Sequence, residues 1–403
     1  MKSASRKTPR ASGGKQSKAR TYELRIAGDK LRLRASELAT SIKPQTSGFA
    51  KRVIGWQREY GRHDLPWQST RDPYRIWVSE IMLQQTQVSA VIPYYQRFMT
   101  RFPDVSTLAA ADEEEVLKHW SGLGYYARGR NLHRAARAIV EFYAGAFPSE
   151  FEAVCALPGV GRSTAAAICV FAFGQRRAIL DGNVRRVLAR HTGIRGYPGD
   201  KRVQDRLWQQ ADSLLPECDI EAYTQGLMDL GAGPCSRHGP DCRACPVRES
   251  CVARRDGLTL QLPSPRPSRT LPQHETAMLI LMSGGEVLLE KRPASGIWGG
   301  LWSFPETDEN QIEDAVLRYG LQPGRLSRLT VLEHGFTHFK LRIRPVLARV
   351  VKPSSGTQEP GRIWLTVEDA LGAAIPTPVR RILGALRTPH PTTERLVGTA
   401  EKP

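Results

Sequence analysis

Four cysteines constrain this chain more than any other feature: Cys235, Cys242, Cys245 and Cys251 fall within 17 residues, separated by six, two and five others. Thiols at that density suit a metal site in a reducing compartment, whereas a disulfide framework spreads paired cysteines along a short secreted chain. Four thiolates can enclose a [4Fe–4S] cluster. They can also bind zinc tetrahedrally. Structural zinc usually draws on paired Cys-x2-Cys knuckles, and this segment has a single such pair. The scattered Cys155, Cys169 and Cys218 read as buried apolar side chains.

Charge points to the partner. The 403 residues carry a formal net charge of +18. Residues 1–20 hold seven Lys or Arg and no acid, and the rest of the surplus is spread along the body, at Arg128, Arg130, Arg185, Arg186, Arg254 and Arg255 among others. That spread suits a surface that neutralises phosphates and releases their counterions. There is no run of 18 apolar residues to span a membrane, and no apolar segment after the start to act as a secretory signal. The basic start lacks the clean amphipathic period of a transit peptide and reads as a disordered arm. The expected setting is a bacterial cytoplasm, or an organelle or nucleus if the source is eukaryotic, with the chain acting as a monomer.

Residues 1–47 make up this basic arm, rich in Lys, Arg, Ser and Gly. Residues 48–255 read as helical, with apolar positions three and four apart and short connections marked by Gly and Pro. Residues 256–274 include LQLPSPRPSRTLPQ, a semi-rigid linker. Residues 275–390 read as an α+β domain, and 391–403 as a tail. In that domain TAMLILM, EVLLEKR and FKLRIRPVLARV are strand-like, Ser283-Gly284-Gly285 is a hairpin turn, and IEDAVLRYG and PTPVRRILGALR are helical.

Three stretches of the helical part carry candidate chemistry. Asp72-Pro73 has the form of an N-cap followed by the first helical residue, and the helix is expected to run on to about Pro93. On it Glu80 shares a face with Ile76, Trp77 and Leu83. A carboxyl in that position is desolvated, its pKa rises, and it can act as a general acid. Spacing alone favours a plainer reading, a Glu at the stripe's edge that reaches solvent or an Arg. The second stretch, Leu157-Pro158-Gly159-Val160-Gly161, joins two apolar helices. Gly159, Val160 and Gly161 would offer backbone N–H groups to a DNA phosphate, beyond the alternative of a simple helical hairpin. The third is ILDGNVRRVLAR, where Asp181 caps a basic helix. A capping carboxylate stays ionised and can face a developing cation, with Asn183 hydrogen-bonding nearby.

LPWQ at 65–68, WVSEIMLQQTQV at 77–88, GLGYYARGRNL at 122–132, LPGVGRSTA at 157–165, ILDGNVRRVLAR at 179–190 and the cysteine quartet together resemble the MutY branch of the helix-hairpin-helix DNA glycosylases. The likeness is close over residues 48–255 and looser over 275–390. It implies a multidomain α and α+β protein: an all-α helix-hairpin-helix glycosylase domain with a [4Fe–4S] cluster loop, then a Nudix-like α+β domain. It also implies double-stranded DNA containing 8-oxoguanine:A mispairs as the partner. By the same likeness Glu80 protonates adenine N7, Asp181 stabilises the oxocarbenium-like sugar and Asn183 assists it, as paired carboxylates do in sugar hydrolysis. Gln85 and Tyr125 match residues that wedge and stack beside 8-oxoguanine. Leu65, Trp67 and Gln225 match the adenine pocket, against the alternatives of core packing for the first two and helix solvation for the third.

Position 163 separates subclasses. Endonuclease III-like relatives that cut the strand carry a Lys there as Schiff-base nucleophile. Ser163 supplies no amine, so strong lyase activity is not expected. Ser163 would contact the site or satisfy a backbone carbonyl. In the second domain Gly300 and Glu306 keep the start of a Nudix box, but Ala315, Arg318 and Tyr319 stand where Mg²⁺-binding acids are needed. The domain therefore reads as a recognition module, its loop Phe336-Thr337-His338 matching a Phe-Ser-His loop that reads 8-oxoguanine. Competing readings are a lyase-active glycosylase for oxidised pyrimidines, a non-catalytic DNA scaffold and a Nudix hydrolase.

Overall fold

The computed structural model describes residues 21–26, 29–34, 43–267, 270–336, 338–352 and 360–387. The arm read as disordered is structured in part. Thr21–Ile26 (β1) and Asp29–Arg34 (β2) pair antiparallel, from Thr21 opposite Arg34 to Ile26 opposite Asp29. TYELRI and DKLRLR alternate apolar and polar residues, the strand period that the overall basic composition hides. Residues 1–20 and 391–403 lie outside the described residues.

The helical part comprises α1 (Lys43–Tyr60), α2 (Pro73–Leu83), α3 (Val88–Arg101), α4 (Val105–Ala110), α5 (Glu113–Trp120), α6 (Ala127–Tyr143), α7 (Phe151–Ala156), α8 (Arg162–Phe173), α9 (Gly182–Thr192), α10 (Lys201–Ser213), α11 (Ile220–Ala232) and the short α12 (Val252–Arg255). No helix among the described residues is long and apolar enough to cross a membrane. Two hydrophobic cores divide these helices. Ile76, Trp77, Met82, Phe98, Trp120 and Leu132 belong to one; Phe49, Val53, Val184, Leu188, Leu207, Tyr223 and Leu230 belong to the other. Helix α8 serves both, giving Ala165, Ile168 and Cys169 to the first and Ala166 and Ala167 to the second. Its small side chains let the two subdomains share one wall.

The expected long helix ends early. Asp72 caps it as read, accepting from Tyr74 N at 2.9 Å with Pro73 in the first turn. The helix stops at Leu83, and Gln85 turns left-handed with φ 58°. Pro93 then falls inside α3, where the sequence reading had made it a terminator.

The second domain is built on β3 (Gln273–Ser283), β4 (Glu286–Lys291), β5 (Trp302–Ser303), β6 (Glu306–Thr307), α13 (Ile312–Arg318), β7 (Leu326–Arg328), β8 (Leu332–Gly335), β9 (Lys340–Arg349), β10 (Arg362–Thr366), α14 (Val367–Gly372) and α15 (Thr377–Arg387). Its sheet has the path β10-β4-β3-β9-β7, and β3 runs parallel to β9, from Gln273 beside Lys340 to Met282 beside Arg349. Gly284 and Gly285, at φ 57° and 88°, make the hairpin turn between β3 and β4. The Ala277–Leu281 stretch of β3 is apolar and buried throughout because both faces are covered. Ala277, Leu279 and Leu281 pack with α13, while Met278 and Ile280 join the core that continues into the helical domain.

That continuity ties the domains together. Leu117 and Trp120 share a core with Trp298 and Leu301. Around it Trp302 Nε1 donates to Glu114 Oε1 at 2.6 Å, Lys291 pairs with Glu114 at 2.5 Å, and Ser121 Oγ and Tyr126 OH donate to Ile375 O at 2.9 and 3.1 Å.

Candidate active site

Between the two helical cores lies a cavity of about 510 Å³, lined by Leu65, Trp67, Ile76, Glu80, Leu83, Phe171 and Gln225 among others. The LPWQ turn forms one side. Gln68 closes it by accepting from Leu65 N and donating to Arg62 O, both at 3.0 Å, so Leu65 and Trp67 are held as buried pocket walls. Gln225 is buried rather than solvated, and its Nε2 donates to Asp229 Oδ1 at 2.8 Å. Arg62 pairs with the same carboxylate at 2.6 Å. Arg62, Gln68 and Asp229 were missed in the sequence reading. The available signal was Asp229, a carboxylate one turn beyond Gln225 in an otherwise apolar helix segment.

Glu80 projects from α2 into this cavity. Burial, and secondarily the charge of Asp181, push its carboxyl from the ordinary 4.5 up to about 8. Burial as the larger cause agrees with the desolvated reading, and among the described residues no Arg pairs with Glu80. Asp181 is the N-cap of α9 and accepts from Val184 N at 2.7 Å. The cap was expected to hold its pKa low. Instead burial raises it, outweighing the opposing cap N–H groups, Arg186 and Arg185. Asp181 thus approaches Glu80 electrostatically from the far subdomain.

Asn183 Oδ1 accepts from Arg186 Nη2 at 2.9 Å. The same guanidinium donates to Gly231 O at 2.6 Å and Cys235 O at 2.8 Å, which joins the Asp181 helix to the cysteine loop. Helices α9 and α11 touch here: a Cβ on Gly231 would stand 2.5 Å from Asn183 Cβ. Gly231→Ala is expected to cost about 1–3 kcal/mol of stability through overpacking. Chemical denaturation checks this, and a midpoint equal to that of the native chain would mean the helices can part freely.

Ser163 Oγ accepts from Leu180 N at 2.9 Å, a backbone N–H that neither alternative for this residue names, and it stitches α8 to the segment leading into Asp181. In the hairpin, Gly159 and Gly161 are exposed while the Val160 side chain is buried. Gly159 has φ +80°, and a Cβ there would meet Asn131 Cβ at 2.7 Å. Its backbone geometry is thus available to an anion and closed to larger residues. Gln85 and Tyr125 are exposed outside the cavity, both left-handed, with φ 58° and 48°.

The four cysteines of the quartet ring one enclosed space of about 20 Å³ together with Arg190 and Arg248. Among the described residues no three His, Cys, Asp or Glu converge so as to hold a single metal ion. Burial above all, with the charges of the other three thiols, pushes Cys245 up to about 12. Arg190 donates to Cys235 Sγ at 3.3 Å and to Ser236 O at 2.7 Å. Of the scattered cysteines, Cys169 is buried as expected, Cys155 is half-buried and Cys218 is exposed.

The family described as the HhH-GPD superfamily of base excision DNA repair proteins matches residues 78–212, and the NUDIX domain family matches 276–385. The adenine DNA glycosylase of Buchnera aphidicola (from Acyrthosiphon pisum) is 35% identical over 339 residues, which is 83% of this chain and 96% of that one. The mouse adenine DNA glycosylase is 35% identical, covering 83% of this chain and 77% of its own length. This chain belongs to the adenine DNA glycosylase family. The human adenine DNA glycosylase, 33% identical over 87% of this chain and 76% of its own, agrees.

As in the reading from sequence, this adenine DNA glycosylase family member joins a helix-hairpin-helix domain to a Nudix-like domain. Glu306 of the Nudix remnant pairs with Arg292 at 2.8 Å, and Tyr319 OH donates to Glu290 Oε2 at 3.0 Å. Both carboxylates are thus engaged by side chains of the domain itself. In the loop at 336–338, Phe336 is half-buried, stacked on Phe339 at 4.5 Å and beside Trp298 at 5.7 Å, while His338 is exposed; Thr337 lies outside the described residues. The arginines counted as a DNA-facing surplus divide. Arg254 and Arg255 are exposed, but Arg128 is buried, Arg130 donates to Gly299 O and Arg186 is spent on carbonyls. Sequence counts charge without showing where it points.

Proposed function

We propose that the chain hydrolyses the N-glycosidic bond of adenine opposite 8-oxoguanine, and of adenine opposite guanine, without cutting the strand. The observation that carries this is Glu80: a carboxyl at about 8, in the wall of a base-sized cavity, electrostatically coupled to Asp181. The adenine leaves the stack and enters between Leu65, Trp67 and Gln225. Glu80, protonated at neutral pH, gives its proton to the purine N7 and makes the base a better leaving group. The sugar then gains oxocarbenium character. Asp181, whose charge is costly in its buried cap, is relieved by that cation, and Asn183 keeps its amide in the same polar chain. Water completes the hydrolysis. Ser163 offers no amine and has its oxygen engaged by Leu180, which favours the monofunctional reading.

The exposed Gly159–Gly161 turn supports a phosphate contact on one strand, and the anchored Phe336 with exposed His338 supports lesion reading on the other. Cys235, Cys242, Cys245 and Cys251 fit a [4Fe–4S] cluster better than zinc, since their thiols ring a space instead of converging on one point. Crowded buried thiols become thiolates only against a metal's positive charge. Bound there, the cluster would act as a structural staple for the loop beside α9. The chain is read as acting as a monomer wherever its DNA resides.

The test is single-turnover excision on duplexes holding 8-oxoguanine:A, G:A, 8-oxoguanine:C or T:A, with borohydride added to trap any adduct. Adenine release from the first two without trapping is expected. A trapped protein–DNA adduct would restore the lyase reading, and no release from any duplex would favour a scaffold.

A further inference from the structure

The break between α2 and α3 and the turn before α6 are unconnected in sequence, yet one side chain grips both. Arg128, in the first turn of α6, is 8% exposed. Its Nη1 donates to Ile81 O and Met82 O, each at 2.9 Å, and to Gln84 O. Its Nη2 donates to Thr86 Oγ1 at 3.1 Å, Leu123 O at 3.2 Å and Gly124 O at 3.3 Å. The first three acceptors are carbonyls left over at the C-terminus of α2, where a cation also complements the helix dipole. The last two belong to the turn that carries Tyr125. The guanidinium also lies 5.5 Å from the Tyr125 ring centre. Among the described residues no carboxylate pairs with it.

Gln85 and Tyr125 are the two residues these loops push outward, and both are non-glycine residues with left-handed backbone. Such conformations are costly and persist where surroundings over-determine them. Here the surroundings are Arg128, bonded on one side to Gln84 and Thr86, which flank Gln85, and on the other to Gly124, which precedes Tyr125. We propose that Arg128 is a positioning residue that locks Gln85 and Tyr125 into one rigid wedge, fixing the separation at which they enter the duplex. This rests on the glycosylase reading above. A planar fork with several donors suits the task; the point charge of Lys does not.

The test uses the full chain and Arg128→Lys. Single-turnover excision from an 8-oxoguanine:A duplex is followed together with fluorescence of a 2-aminopurine placed beside the lesion, which reports unstacking. The rate constant is expected to fall about ten- to a hundredfold while the burst amplitude, the fraction of active enzyme, is retained. The binding-induced rise in fluorescence is expected to shrink. In a Gln85→Ala/Tyr125→Ala background Arg128→Lys should add almost nothing, because the residues act as a unit. A fall in amplitude at unchanged rate constant would reduce Arg128 to a folding role, and full additivity would overturn the proposal. Should Arg128→Lys not fold, Thr86→Val removes a single acceptor and is expected to move the same readouts in the same direction; no movement would overturn the proposal as well. If the native chain releases no adenine, the glycosylase reading fails, while the fluorescence arm still tests the wedge.

Discussion

Glu80→Gln is expected to lower adenine excision by about 10²–10⁴-fold, the range a positioned general acid contributes, while binding to the 8-oxoguanine:A duplex persists. Gln keeps the shape and hydrogen-bonding ends of Glu but has no proton to give. Single-turnover kinetics and a binding titration on the same preparation check this, and excision at the native rate would remove Glu80 from the chemistry. The pH profile follows from the same group. The acid must be protonated, and its pKa stands at about 8. Excision should therefore be level with respect to Glu80 below that value and fall as pH rises through it. Stability moves in the same direction. Folding raises this pKa from 4.5, so the native state holds a proton that the unfolded chain releases. The contribution of the protonated form is complete below the unfolded value and is lost as pH climbs through the folded one. Glu80→Gln should accordingly melt higher than the native chain at alkaline pH. An equal or lower melting point there would mean that the buried carboxyl carries no such strain.

Cys245→Ala is expected to lose iron, the visible absorbance of the cluster and most soluble yield, with DNA affinity reduced at least about tenfold in whatever remains. The magnitudes decide this. A structural thiolate-bound metal contributes on the order of 10 kcal/mol, as measured for zinc in small domains. Domains as a whole are stable by about 5–15 kcal/mol. Arg186 and Arg190 transmit the loss, since both use carbonyls of the cysteine loop to hold the helix that Asp181 caps. Iron and sulfide analysis with a salt-controlled binding titration checks the prediction. Retained affinity in an iron-free protein would separate the loop from DNA binding, and one zinc per native chain would replace the cluster.

Much of this molecule was legible in its residues because local signals suffice for local structure. The Asp72-Pro73 start, the Asp181 cap, the Gly-marked hairpin and the Gly284-Gly285 turn each satisfy backbone groups within a few residues, and each appears where expected. The domain order follows from the change in hydrophobic period. The first hairpin is masked by the basic composition around it, although residues 21–26 and 29–34 alternate as strands do.

Local residue patterns thus carry the inventory: the helical and α+β regions in their order, and the acids, thiols and glycines present. Tertiary structure alone decided what each group experiences. The pKa of the Glu80 carboxyl is raised because burial desolvates it and, secondarily, because the charge of Asp181 is near. Asp181 is raised despite its cap because desolvation is summed over neighbours distant in the chain. The helix expected to reach Pro93 stops ten residues sooner, and Arg128, more than forty residues away, satisfies its last carbonyls. Burial and long-range hydrogen bonds depend on packing, and no local pattern encodes them.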